Sequence, residues 1–315
     1  MTESPRGHEA PAVPAIETVG LGRRYRRGWA LHDTSFRLPA GRVCALVGPN
    51  GAGKTTLLSM AANLTEPTSG TIALSGHHPG SAEARQGTAF LSQQKALYSR
   101  FRVHEILRMG RELNPTWHQE TAESVVEAGG IPMSARVGTL SGGQSTRVAF
   151  ALALGKRPLL MLLDEPMADL DPLVRHQMTE LLQEEARRNG STVVMSSHLV
   201  SELESACDYL VLINSGTVRL AGEVDVLLAQ HRRLATGSLD EARHRQGLDG
   251  HTVIATSAGD GQITSLVRTD PTLPPDSGLI PPTLEELVIG YLRTPDAPTL
   301  LAPSAQVASG SEVAA

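Results

Sequence analysis
The chain has 315 residues, of which 40% are apolar and 19% charged, and carries a net charge of −5. That length accommodates one domain of about 200 residues and a smaller companion, and the composition excludes a fibrous or disordered chain. The acidic balance and scattered arginines offer no basic stripe, so no nucleic-acid partner is expected.

Residues 1–14 mix Glu3, Arg6 and Glu9 with prolines and hold no apolar run, which reads as a flexible tail and not a signal peptide. Apolar stretches at 16–19, 31–38 and 43–47 predict strands, the last apolar throughout as in a strand buried on both faces. A glycine-rich loop, GPNGAGKTT, follows at 48–56, then a helix over 54–64 and a strand over 69–76. Helical periodicity from 103 to about 129 and from 144 to 154 marks a helical insert, residues 98–155. Strands at 159–163, 192–196 and 209–213 then alternate with helices at 172–188 and 199–206, the order of a parallel α/β sheet. Residues 15–231 therefore read as one α/β domain. Residues 232–295, with strands at 251–256 and 262–268 and an amphipathic helix at 283–292, read as a small appended α+β domain. Residues 296–315, rich in Ala, Ser and Pro, are expected to be disordered. Cys44 and Cys207 lack a CxxC neighbour and read as small buried hydrophobes in a reducing, cytoplasmic compartment. The apolar runs fall far short of the roughly 20 residues of a spanning helix.

The chemistry concentrates in three places. In Gly48, Pro49, Asn50, Gly51, Ala52, Gly53, Lys54, Thr55 and Thr56, glycines free the backbone N–H groups to wrap phosphates at a helix start. Lys54 supplies a point charge for the β and γ phosphates, Thr55 a hydroxyl for Mg²⁺ and Thr56 a donor near the α phosphate. The apolar run 159–163 delivers Asp164 to the carboxyl end of a strand, where α/β sheets place ligands, to hold magnesium through water. Glu165 beside it suits the general base that activates the attacking water. Ser141, Gly142, Gly143 and Gln144, within LSGGQ, open a second helix with bare backbone and a hydroxyl, a second anion site that one nucleotide leaves unexplained.

LSGGQ between a phosphate loop and a DE-ended strand resembles the ATP-binding cassette family over roughly residues 15–230. The resemblance implies a P-loop cassette of mixed core sheet, antiparallel β-subdomain and helical insert, and an ATPase using ATP and Mg²⁺. It implies head-to-tail dimers, homomeric or heteromeric, in which each LSGGQ caps the partner's nucleotide. Further roles come with it: Tyr25 stacking on adenine, where base stacking is worth about 1–3 kcal/mol; Gln93, with Gln94 as register alternative, contacting magnesium and the attacking water; His198 facing the γ phosphate; and Asp171 communicating across the dimer. Asp169, Ser145, Thr146 and Leu152 depart from the family pattern. The run at 207–228 and the ending PTLEELVIGYLR are similar to bacterial drug and antibiotic export ATPases with separate permeases. An export subunit on the cytoplasmic membrane face, attached through its permease alone, is thus expected. An import subunit or a soluble non-transport ATPase is the alternative.

Overall fold
The computed structural model describes residues 13–168, 170–197, 206–237, 248, 250–259, 262–269 and 279–307. β1 (Ile16–Tyr25) and β2 (Gly28–Leu38) form a hairpin, with Tyr25 opposite Gly28 at its tip. β3 (Val43–Val47) is buried at every residue and leads through the glycine loop into α1 (Lys54–Ala61). β4 (Ser69–Leu74) joins the far side of β1, giving an antiparallel sheet of order β2-β1-β4. α2 (Ala82–Gly87) and β5 (Thr88–Leu91) follow.

The helical region contains α3 (Val103–Leu113), α4 (Gln119–Glu127) and α5 (Gly142–Gly155). The single helical stretch expected over 103–129 is two helices. Pro115 and Trp117 lie in the break, and a proline there removes a helical donor. The Trp117 ring lies between α3 and α5, where a Cβ added to Gly110 or Gly155 would come within 2.7 or 2.6 Å of it.

β6 (Leu160–Leu163), α6 (Pro172–Asn189), β7 (Thr192–Ser197), β8 (Tyr209–Asn214) and β9 (Thr217–Glu223) complete the alternation. The expected helix at 199–206 lies, save for its last residue, outside the described residues. α7 (Val224–Ala229), β10 (His231–Gly237), β11 (Thr252–Gly259), β12 (Gln262–Arg268), β13 (Leu279–Ile280), α8 (Leu284–Arg293) and β14 (Leu300–Leu301) close the chain. The central sheet has seven strands, β14-β9-β8-β3-β7-β6-β5, with only β8 and β9 antiparallel.

Alternation along β3 separates two cores. Val43, Ala45 and Val47 face the helical region and α6, whereas Cys44 and Leu46 face α1 and the antiparallel sheet. Among the described residues, no helix is long and apolar enough to cross a membrane. Both thiols are buried, and desolvation raises their pKa values, which fits unreactive core positions.

The C-terminal unit differs from the expected appendage in two respects. Its sheet, ordered β11-β12-β10-β13, begins with the unexpected strand β10, and its buried Leu266, Leu287, Val288 and Tyr291 belong to the same apolar cluster as Leu212 and Leu227. Residues 296–307, expected to be disordered, are ordered. Leu300 and Leu301 pair in parallel with Leu220 and Ala221, Ala302 and Ala305 are buried, and Ser304 donates to Glu223 Oε2 at 2.8 Å. Small residues serve there because the surface they meet is tight: a Cβ on Gly222 would lie 2.4 Å from that of Ala302. Composition reports hydropathy and misses such close packing.

Candidate nucleotide site
The loop after β3 turns at the carboxyl end of the parallel strands and sets the start of α1 facing outward. Gly51 and Gly53 take φ of +80° and +111°, a region costly for side chains bearing a Cβ. Gly53 is also sterically required, since a Cβ would meet the Ala30 carbonyl oxygen at 2.5 Å, whereas at Gly51 it would meet nothing. Conformation alone therefore demands glycine at position 51. Lys54 is 5% exposed, and its Nζ donates to the carbonyls of Gly48 (2.7 Å) and Pro49 (3.2 Å). Burial lowers its pKa, opposed by the nearby carboxylates of Glu165 and Asp164.

The loop, Thr55 and Thr56 line an open cavity of about 420 Å³ together with Ala30, Gln93 and Glu165. Gln93 donates from Nε2 to Glu165 Oε2 at 3.2 Å, so this residue, and not its neighbour Gln94, faces the cavity. Asp164 is 2% exposed at the end of β6, and Glu165 adopts φ of +45°, left-handed for a residue with a side chain. That conformation costs about 1–2 kcal/mol.

Ser196 supports this turn, and sequence reasoning assigned it no role. Its hydroxyl donates to Asp164 Oδ1 at 2.7 Å and accepts the Glu165 N–H at 2.8 Å. Leu163 lies opposite Met195 in the β6–β7 pairing, which brings the next residues of both strands together. The signal was two serines closing an apolar strand, which acquires meaning only once β6 and β7 are known to be neighbours.

The LSGGQ residues form a separate place. Ser141 caps α5 by accepting the Gln144 N–H, and Gln144 Oε1 accepts the Ser141 N–H in return, a capping box. Ser141, Gly143, Gln144, Arg147, Asp171 and Gln177 help line a second cavity of about 360 Å³, which shares no residue with the first. Asp171 caps α6 through the Val174 N–H, and Arg147 donates to Gln177 Oε1 at 2.7 Å. Thr146 is buried and donates to the Gly142 carbonyl, so this departure points into the domain; Leu152 packs toward α3 beside Gly110.

Tyr25 is 44% exposed at the hairpin tip, outside the cavity lining, with the Arg23 guanidinium carbon 4.9 Å from its ring centroid. Its strand partner β2 reaches the cavity through Ala30. His198 and Asp169 lie outside the described residues.

With the geometry in place, comparison with known proteins identifies the architecture. A family model described as "ABC transporter" matches residues 31–168. The ABC transporter ATP-binding protein YxlF of Bacillus subtilis is 34% identical over 222 residues, covering 69% of this chain and 74% of that protein. The chain belongs to the ATP-binding subunits of ABC transporters. It is an ATPase whose hydrolysis of ATP is coupled to transport. Among the cassette's relatives are the aliphatic sulfonates import ATP-binding protein SsuB of Pseudomonas putida (37% identity; 67% of this chain, 77% of that protein) and the Nod factor export ATP-binding protein I of Rhizobium johnstonii (34%; 72% and 75%). The solved structure of an ATP-binding subunit of an ABC transporter superposes with a TM-score of 0.62 at 26% identity, covering 75% of this chain and 95% of that one. The dimeric cassette MJ0796 shares the fold, with a TM-score of 0.60 at 22% identity and coverage of 66% and 98%.

Proposed function
We propose that this cassette binds ATP in the cavity of the phosphate loop and hydrolyses it as a head-to-tail dimer, energising a separate transmembrane permease from the cytoplasmic face. The observation that carries this reading is the separation of the two cavities. In one chain the LSGGQ residues and the phosphate loop line different places, so the second anion site serves a nucleotide held by another cassette, identical or related.

Within the first cavity the roles follow from position. The loop N–H groups and the start of α1 bind phosphate oxygens, and Lys54, already held against the loop, fixes their charge. Glu165, oriented by its strained backbone and by Gln93, accepts a proton from the attacking water. The donors facing the cavity from Thr55 and Gln93, with Asp164 behind, offer only oxygen ligands, which fits Mg²⁺. When bound, that ion would neutralise phosphate charge, with Thr55 and Gln93 as ligands and Asp164 reaching it through water. Ser141, Gly142, Gly143, Gln144 and Asp171 face the partner's nucleotide. Tyr25 stacks on adenine at the hairpin tip, and His198 addresses the γ phosphate.

The direction of transport is read as outward, of a drug or antibiotic type, on the resemblance of the segment ending PTLEELVIGYLR to export ATPases; the exporting Nod factor relative supports it. Import is the second reading, favoured by the sulfonate relatives at up to 37% identity. Affinity capture of the tagged protein from gently solubilised membranes, followed by mass spectrometry, separates these. A permease alone supports export, a permease with a secreted binding protein supports import, and ribosomal proteins without a permease overturn the proposed pairing with a separate permease. Glu165→Gln should trap an ATP-bound dimer on light scattering; a monomer at saturating ATP refutes the dimer.

A further inference from the structure
We propose that Asn214 is a positioning residue for ATP binding, tying α8 of the C-terminal unit to the turn against which the phosphate loop rests. This rests on the nucleotide-site reading above. Asn214 ends β8 and is 5% exposed. Its Nδ2 donates to the Leu292 carbonyl at 3.3 Å and lies 3.5 Å from the Tyr291 carbonyl. These belong to the last turn of α8, whose carbonyls have no partner within the helix, so a side chain of the cassette caps a helix of the C-terminal unit.

The other side of the same turn meets the site. Asn214 and Thr217 close the β8–β9 hairpin around Ser215 and Gly216, both at positive φ (51° and 79°), the backbone of a type I′ turn. Immediately before it, the Ile213 carbonyl abuts Gly48, where a Cβ would come within 2.2 Å of that oxygen. Gly216 accepts the His32 N–H at 2.8 Å and packs against Ala30, a Cβ there falling 3.1 Å from the Ala30 oxygen. Ala30 in turn lines the nucleotide cavity and fixes Gly53, the residue before Lys54. The hairpin turn therefore supports the phosphate loop at both ends, Gly48 directly and Gly53 through Ala30. Asn214 joins that support to α8.

Every contact in this chain is backbone against backbone or a capping amide. Such contacts transmit small displacements because packed interiors have little compliance. Loosening the turn should thus affect how well the loop fits phosphates, an effect on ATP affinity, while Glu165 and Asp164 on β6 keep their geometry.

The test uses the full-length protein, with binding of a fluorescent ATP analogue, steady-state phosphate release and thermal unfolding. Asn214→Asp keeps the shape but turns the donor into an acceptor facing two carbonyls, and should raise the ATP Kd and KM about tenfold, roughly the loss of one charge-perturbed hydrogen bond. Asn214→Ala, which only deletes the donor, should raise both about threefold, with kcat within about twofold in each case. Tyr291→Phe is the control. It removes the 3.0 Å bond from Tyr291 to His231 Nε2 in the same last turn of α8, but not the capped carbonyls, and should lower stability while leaving ATP affinity unchanged. Equal rises in Kd for Tyr291→Phe and Asn214→Ala would make the effect merely structural and overturn the proposal, as would wild-type affinity in a folded Asn214→Ala. Failure of the wild-type protein to bind the analogue would instead overturn the nucleotide site itself. Should Asn214→Asp not fold, the Ala variant decides alone.

Discussion

Ser196→Ala isolates the support beneath the two acidic residues. The hydroxyl makes two short contacts, one to a carboxylate that is 2% exposed and one from a backbone N–H in a strained conformation. A hydrogen bond to a charged group contributes about 1.5–3 kcal/mol, and an orphaned buried donor costs about 1–3 kcal/mol. Partial collapse of the site reduces the sum to roughly 2–4 kcal/mol. At about 2–4 °C per kcal/mol for a domain of this size, unfolding should shift down by roughly 4–16 °C in differential scanning fluorimetry. The turn holding Glu165 also loses its anchor, so kcat for phosphate release should fall about 10–30-fold, equivalent to about 1.4–2 kcal/mol of the activation barrier. ATP affinity, set by a loop on a different strand, should change by less than about threefold. A variant with wild-type kcat and an unshifted unfolding temperature would refute the argument that Ser196 sets the geometry of Asp164 and Glu165.

Glu165→Gly should abolish hydrolysis yet leave the protein as stable or slightly more so: relief of the left-handed strain, about 1–2 kcal/mol, offsets the roughly 0.5–1 kcal/mol of extra chain entropy that glycine loses. A clear fall in unfolding temperature would contradict the strain at that residue. His231 is fully buried, its Nδ1 donating to the Leu227 carbonyl and its Nε2 accepting from the Tyr291 hydroxyl, and burial holds its pKa down to about 4 against 6.5. Its folded pKa being the lower, the unfolded chain takes up the proton first, so stability is lost as pH falls from 6.5 to 4, by about 3 kcal/mol in all. Unfolding temperatures between pH 7 and 4.5 should show that slope in the wild type and a shallower one in His231→Gln; identical slopes would exclude His231 as its source.

The parts legible in the sequence were those whose logic is local. A strand, a glycine loop and a helix start are contiguous at 43–61, so the residue types announced the elements in their order. Asp164 and Glu165 were legible for the same reason, as acids ending an apolar strand. Ser196 was not, because its role depends on β7 lying beside β6, a pairing across some thirty residues of chain. β10 was missed because Arg232 and Arg233 interrupt its apolar pattern although His231 and Leu234 are buried. The strand at 300–301 was missed because two residues give no period to read.

The pairing of Leu300 and Leu301 with β9 has a practical corollary for anyone who wishes to remove the C-terminal unit. Both ends of that unit are stitched to the cassette, one through α7 and β10, the other through β14. A stop codon after α7 would strip the outermost strand from the central sheet as well, baring the Leu220–Ala221 backbone as a template for self-association. A clean deletion must instead splice the chain internally and retain residues 299–307, so the segment most easily discarded as a tail is the one that keeps the cassette's edge closed.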